Sequence, residues 1–181
     1  MMTLQTGPLW AGVERAIELV AALESLPLNA DHEQLARAAA AVLERWNDQV
    51  DDAFAEEIDA VVAVIREIGR FLEIADSEQA AATINEWLAT AASAPRLVHE
   101  HEWGWHLHVD PVDADWASWL SAASALAFAV ALADHARPVW GRCAATGCRR
   151  PFLDRGRRAP QQFCSATCAT RERVRRHREL E

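Results

Sequence analysis

The chain of 181 residues contains no lysine, so each of its 18 fixed positive charges is an arginine, and alanine is abundant. That pairing reads as the composition of a GC-rich genome and carries little functional information. Cysteine is absent from the first 142 residues; all four cysteines lie between 143 and 168. Nothing therefore staples the larger part of the chain, and a disulfide framework is not expected. We expect no membrane span, since no stretch reads as the roughly eighteen uncharged apolar residues that one requires. Glu14 and Arg15 stand where a signal peptide would carry its apolar core, so the expected location is cytoplasmic. Also missing are a serine-based triad spacing, a phosphate loop and a His-Glu-x-x-His motif, and His99-Glu100-His101 is too short for the last. An enzyme is not expected.

What is present begins with 51% hydrophobic residues, ample for a core, and a net charge of -9 that is unevenly spread. Residues 1–136 carry 6 arginines against 23 acidic residues, a net of -17, whereas residues 137–181 carry 12 against 4, a net of +8. An acidic body thus precedes a basic end, and the boundary is expected at about residue 137.

The body reads as helices, with apolar residues recurring every three or four positions. Leu9, Val13, Ile17 and Val20 line a first helix that ends near Pro27. A second follows Asn29 or Asp31 and buries Leu35, Ala38, Ala39, Val42, Leu43 and Trp46. The period predicts one third helix from about Asp52 to Ile74, through Phe54, Ile58, Val61, Val62, Ile65, Ile68 and Leu72. Asp76 with Gln79 forms a capping-box pattern opening a fourth, which carries Ile84, Trp87 and Leu88. A fifth, starting after Asp110 or Asp113 and stopping before Pro138, is apolar almost all round, from Trp116 and Trp119 to Leu132.

Between the fourth and fifth helices the period changes to alternation, and residues 96–110 read as a β-hairpin turning at Trp103-Gly104. That turn would set His101 opposite His106 and His99 opposite His108, gathering four imidazoles on one face as a candidate effector or second-metal site. Val98, Trp105, Leu107 and Val109 would share the other face with Glu100 and Glu102 and pack on the helices.

In the tail, Cys143-x4-Cys148 and Cys164-x3-Cys168 are two close pairs separated by fifteen residues, which is metal-ligand spacing. A closed site of four cysteines is structural and suits Zn2+, with no open position for a catalytic water. Phe152, Leu153 and Phe163 supply a minimal core, the Gly156 region suits a hairpin turn, and Ser165 can cap a helix carrying Cys168. A knuckle, a hairpin and a helix that donates the second pair resemble a treble clef. The helix continues through Arg171, Arg173, Arg175, Arg176 and Arg178, and Arg155, Arg157 and Arg158 precede it, so these eight are the candidate DNA contacts.

The tail resembles the CGNR-type zinc finger, through Phe152-Leu153-Asp154, Phe163-Cys164-Ser165 and Cys168-Ala169-Thr170-Arg171. Ala94-Pro95-Arg96-Leu97, Trp105-His106-Leu107-His108 and Trp116-Ala117-Ser118-Trp119-Leu120 resemble the helical ABATE domain found N-terminal to that finger. Gly156, Gln161-Gln162 and Ala169-Thr170 stand where the family carries Ser, paired Arg and Gly-Asn. The cysteines are untouched by these departures; phosphate contacts by the paired Arg are lost, and Arg155, Arg157 and Arg158 are placed to compensate. What the resemblance implies is a stress-responsive bacterial transcription regulator.

The expected fold is mainly α: a helical domain over 1–136 with one β-hairpin, then over 137–181 a treble-clef-like four-cysteine module ending in a basic helix. The expected function is a zinc-containing DNA-binding regulator whose acidic body senses a small-molecule effector or forms a homodimer. The competing expectation is a zinc-stabilised protein-interaction module that does not touch DNA.

Overall fold

A computed structural model describes residues 8–100, 104–154 and 160–178. His101, Glu102 and Trp103, together with Arg155, Gly156, Arg157 and Arg158, lie outside the described residues. Seven helices and two antiparallel hairpins are described: α1 (Pro8–Glu24), α2 (His32–Arg45), α3 (Ala53–Glu56), α4 (Ile58–Phe71), α5 (Ser77–Ala91), β1 (Arg96–Glu100), β2 (Gly104–His108), α6 (Trp116–His135), β3 (Trp140–Arg142), β4 (Pro151–Leu153) and α7 (Ala166–Arg178).

Local chemistry explains most boundaries. Asp31 closes a full capping box with Gln34, each side chain bonding the other's backbone amide at 2.9 Å. Asp76 accepts from Gln79 N–H at 2.8 Å and Asp115 from Ser118 N–H at 2.7 Å. The cap of α6 is therefore Asp115 and not Asp110 or Asp113. Asp110 is engaged elsewhere, its carboxylate bonded to Arg96 and His108. At its other end α6 stops on Ala136 in the left-handed region, two residues before Pro138.

The expected single helix from Asp52 to Ile74 is instead two. The chain turns at Glu57, whose carboxylate accepts from Trp116 N–H at 2.7 Å and so satisfies an open amide at the start of α6. The turn lets Phe54 meet Trp116 edge-on at 5.2 Å while Ile58, Val61, Val62, Ile65 and Ile68 stay buried.

Helix α6 is the centre of the body, packed on α1, α4 and α5. An 18-residue window of this 20-residue helix reaches a mean hydropathy of 1.6, so the expectation that no stretch matches a membrane span by length and composition is corrected. Its apolarity serves a core here: Leu120, Ala122, Ala125, Ala127, Phe128 and Ala131 are buried among the neighbouring helices. Alanine on both sides allows close approach, and a Cβ placed on Gly12 of α1 would lie 2.8 Å from that of Ala127.

The β1–β2 hairpin departs from expectation in register and in facing. Glu100 pairs with Gly104, His99 with Trp105, Val98 with His106 and Arg96 with His108. This is an odd shift from the expected pairing, and an odd shift exchanges the faces of one strand relative to the other. His106 and His108 now share a face with Val98 and Arg96, while His99 joins Leu97, Trp105 and Leu107 on the opposite one. The imidazole face is the half-buried one. Leu97 and Trp105, at 68% and 70% exposed, are turned out together with Leu107, contrary to the expectation that Trp105 and Leu107 pack on the helices.

Candidate metal centre

Strands β3 and β4 are joined through a loop that runs from Cys143 to Cys148. Cys143 N–H donates to Arg150 O at 3.0 Å and Cys148 N–H to Ala145 O at 2.9 Å, with Gly147 at φ 74°, a conformation in which a side chain would be strained. The expected turn near Gly156 lies outside the described residues; β4 pairs with the upstream β3, with the first cysteine pair in the loop between them. Ala144 N–H donates to Gln162 O at 2.9 Å, which ties this loop to the segment leading into the second pair. Ser165 Oγ accepts from Cys168 N–H at 3.2 Å and so caps the first turn of α7.

The result is a cluster in which all four Sγ atoms lie within 4.8 Å of one another. Cys148 and Cys164 are 3.8 Å apart, Cys164 and Cys168 3.7 Å. A zinc ion about 2.3 Å from each of four tetrahedral sulfurs sets their separations at about 3.8 Å, so the spacing fits that ion. The thiols ionise unequally. Cys148 is lowered to about 7, chiefly because Arg150 N–H donates to its sulfur, whereas Cys164 is pushed up to about 12, chiefly by burial and then by its neighbouring thiols. The first thiolate forms readily and the last resists. A divalent cation reverses that resistance by neutralising the accumulating charge.

Glu172 is the residue around which the rest of the module is organised, and sequence reasoning missed it. It is 4% exposed and accepts from Thr146 N–H and Oγ1, both at 3.2 Å, and from Arg175 Nη2 at 2.6 Å and Arg176 Nε at 3.4 Å. These donors, Arg175 first, hold its carboxyl down at about 2. The only signal was a lone acid in the described part of a helix that is otherwise arginine-rich.

The arginines of α7 consequently divide. Arg171 is exposed but its Nη2 lies 3.7 Å from Cys168 Sγ, where a cation stabilises thiolate charge. Arg175 and Arg176 share the Glu172 carboxylate. Arg173 and Arg178 are exposed, with no ion pair among the described residues. Arg171, Arg175 and Arg178 stand at i, i+4 and i+7 and line one open hollow of about 510 Å³ with Thr146 and Val174.

The module is seated on the body. Trp140 is 5% exposed, with its ring 5.0 Å from both Phe71 and Phe128, and Val139 is fully buried. Arg142 donates to Glu24 Oε2 at 2.6 Å and to Gly69 O at 2.7 Å, and Arg149 to Glu73 Oε1 at 2.6 Å. Asp154 accepts from Arg137 and from Gln161 N–H, at 2.9 and 3.0 Å, closing the base of the module.

Of the four histidines singled out in the sequence, the structure brings together two. His106 and His108 face each other with Nε2 atoms 3.0 Å apart; His99 lies against Trp105 on the other face, and His101 is outside the described residues.

No curated protein matches the chain. Residues 140–180 match the CGNR zinc finger family, and with the four sulfurs gathered as described, the C-terminal segment is a zinc-finger module built to hold a metal ion.

Proposed function

We propose that the chain is a non-enzymatic, DNA-binding transcription regulator in which α7 contacts duplex DNA and the acidic body serves as a sensing or dimerising domain. The observation that carries this reading is the presentation of α7. Five arginines within eight residues stand on a helix whose first turn is anchored by metal-ligating sulfur, and four of the five are exposed. A rigid mount for a stripe of positive charge is what phosphate recognition needs, because contacts held in place lose little entropy on binding. Arg171, Arg175 and Arg178 span roughly 10 Å of helix at about 1.5 Å per residue, a length suited to neighbouring phosphates. The acidic body, repelled by the same phosphates, would keep the duplex on the module's side.

A second reading, a protein-interaction module, draws on one feature: exposed Val174 in the arginine hollow, with Glu172 already drawing on two of the arginines. The two are separated by titrating the zinc-loaded full chain with duplex DNA at several salt concentrations. Arg171→Ala with Arg178→Ala is the informative variant, since both stand on the stripe and neither is tied to Glu172. Affinity for all duplex sequences should fall similarly, and the slope of log affinity against log salt should drop by about 2 if each arginine meets one phosphate. Binding that is unchanged in this variant, with zinc retained, rejects the DNA reading.

A further inference from the structure

The body's six arginines stand among 23 acidic residues, and four of them are paired: Arg15 with Asp48, Arg37 with Glu33, Arg45 with Glu18 and Arg96 with Asp110. Arg66 and Arg70 are the exceptions. Both are exposed, and neither side chain has an ion pair or hydrogen bond among the described residues. In so acidic a body an unpaired arginine is the unusual case, and these two stand at i and i+4 on α4, on one side of the helix.

Both border a cleft of about 300 Å³ that lies between α1, α4 and β3 of the zinc module. Val20, Leu23 and Ile65 give it an apolar wall. Its acids are already engaged, Glu24 with Arg142 and Glu73 with Arg149, each at 2.6 Å. Arg142 closes the cleft from the module's side; its side chain is 12% exposed, and its enclosed Nε has no hydrogen-bond partner among the described residues. Gly69 makes that approach possible, since a Cβ there would lie 3.2 Å from Arg142 Nη2. The hydrogen-bonding capacity left unused in the cleft is thus guanidinium N–H, which seeks an anion.

We infer that the cleft binds a small organic oxyanion, a phosphate monoester or carboxylate carrying a short apolar chain. Arg66 and Arg70 hold the oxyanion with Arg142 behind it, and the chain lies on Val20, Leu23 and Ile65. The planar fork of a guanidinium matches the oxygens of both head groups, and the volume stands at the small end of the roughly 300–1,000 Å³ usual for ligand sites. Arg66 and Arg70 come from the body and Arg142 from the module, so a ligand touching all three favours the arrangement in which the two are joined. The inference rests on the reading of the body as a sensing domain and narrows it to a ligand class; its test uses no DNA to detect the ligand, so the two can fail separately.

The test is calorimetric titration of the zinc-loaded full chain at low salt with butyl phosphate, butyrate, inorganic phosphate and butylamine. One butyl oxyanion should bind per chain, saturably and more tightly than inorganic phosphate, and butylamine should not bind; the tighter of the two oxyanions names the head group. Arg66→Gln with Arg70→Gln, both exposed and outside the core, should weaken binding by about tenfold or more, the usual weight of charge-assisted hydrogen bonds. Arg37→Gln, on α2 and away from the cleft, should change nothing. In the unaltered chain the Arg142 Nε–H resonance should shift on saturation, a readout that needs no variant. The assignment is overturned if neither butyl oxyanion saturates, if inorganic phosphate or butylamine binds as tightly, if the double variant binds unchanged, or if the Arg142 signal does not move. A double variant that loses affinity for duplex DNA, in a chain that takes up no butyl oxyanion, also overturns it and gives these arginines to DNA phosphates.

Discussion

The helical body and the zinc module reach order by different means. In the body, more than twenty apolar side chains from five helices converge on α6, so its stability is stored in removal of apolar surface from water. The module offers a buried cluster of only Cys143, Ala145 and Cys168, with Cys148, Phe163 and Cys164 against it. Its remaining cohesion comes from metal ligation and from charged hydrogen bonds converging on Glu172 and Asp154. Apolar burial is indifferent to chelators and to moderate acid, whereas thiolate ligation and carboxylate pairing are not. One chain should therefore hold two regions with separate chemical sensitivities, joined at Trp140.

Removal of the metal is the largest perturbation. Structural zinc contributes on the order of 10 kcal/mol to folding of modules this small. Chelation, or Cys164→Ser with Cys168→Ser, should melt α7 and the Cys143–Cys148 loop while α1 to α6 persist, read as a partial loss of helical circular dichroism with a retained thermal transition. Loss of all helical signal on chelation would break the comparison.

The joint comes next. Trp140 belongs by sequence to the zinc module and by burial to the body, its ring between Phe71 and Phe128. Trp140→Ala should cost about 3–5 kcal/mol, as for other buried aromatic truncations. That loss should appear in the body's unfolding transition, with one zinc per module retained. If metal affinity collapses and body stability does not, the ring serves the module and the comparison must be redrawn at that residue.

The smallest effect concerns Glu172. Its carboxyl is lowered from 4.5 to about 2 in the folded chain, so folding favours the ionised form. The stabilisation is fully present above about 4.5 and is lost as pH falls through about 2. Glu172→Gln should lower the stability of the zinc-loaded module by a constant amount at every pH above that window, followed through the helical signal of α7; an unchanged stability would mean that Glu172 does not act as an anion for Arg175 and Arg176.

The two hairpins show where sequence reasoning stops. The cysteine pairs were legible because ligand spacing is a covalent constraint: Cys143 to Cys148 and Cys164 to Cys168 are close along the chain whatever else it does. Helix positions and the caps at Asp31 and Asp76 were legible for a similar reason, since side-chain periodicity and capping act within a few residues. The register of β1 on β2 was not, because it depends on the length of the connecting loop, and alternation alone fits either register. That single ambiguity sent His99 to the opposite face from His106 and His108 and left Leu97 and Trp105 exposed.

The chain by itself determined the local and the stoichiometric: helical periods, an acidic body against a basic end, and four sulfurs in number and spacing for one zinc ion. Tertiary structure alone decided what depends on partners distant in sequence. It broke the third helix at Glu57, because an amide of α6 needed its carboxylate. It put Trp140 into the body's core and divided the arginines of α7 between Glu172, Cys168 and the surface. It also brought two imidazole nitrogens within 3.0 Å. In each case the energy comes from burial or charge pairing between segments whose meeting no short-range pattern encodes.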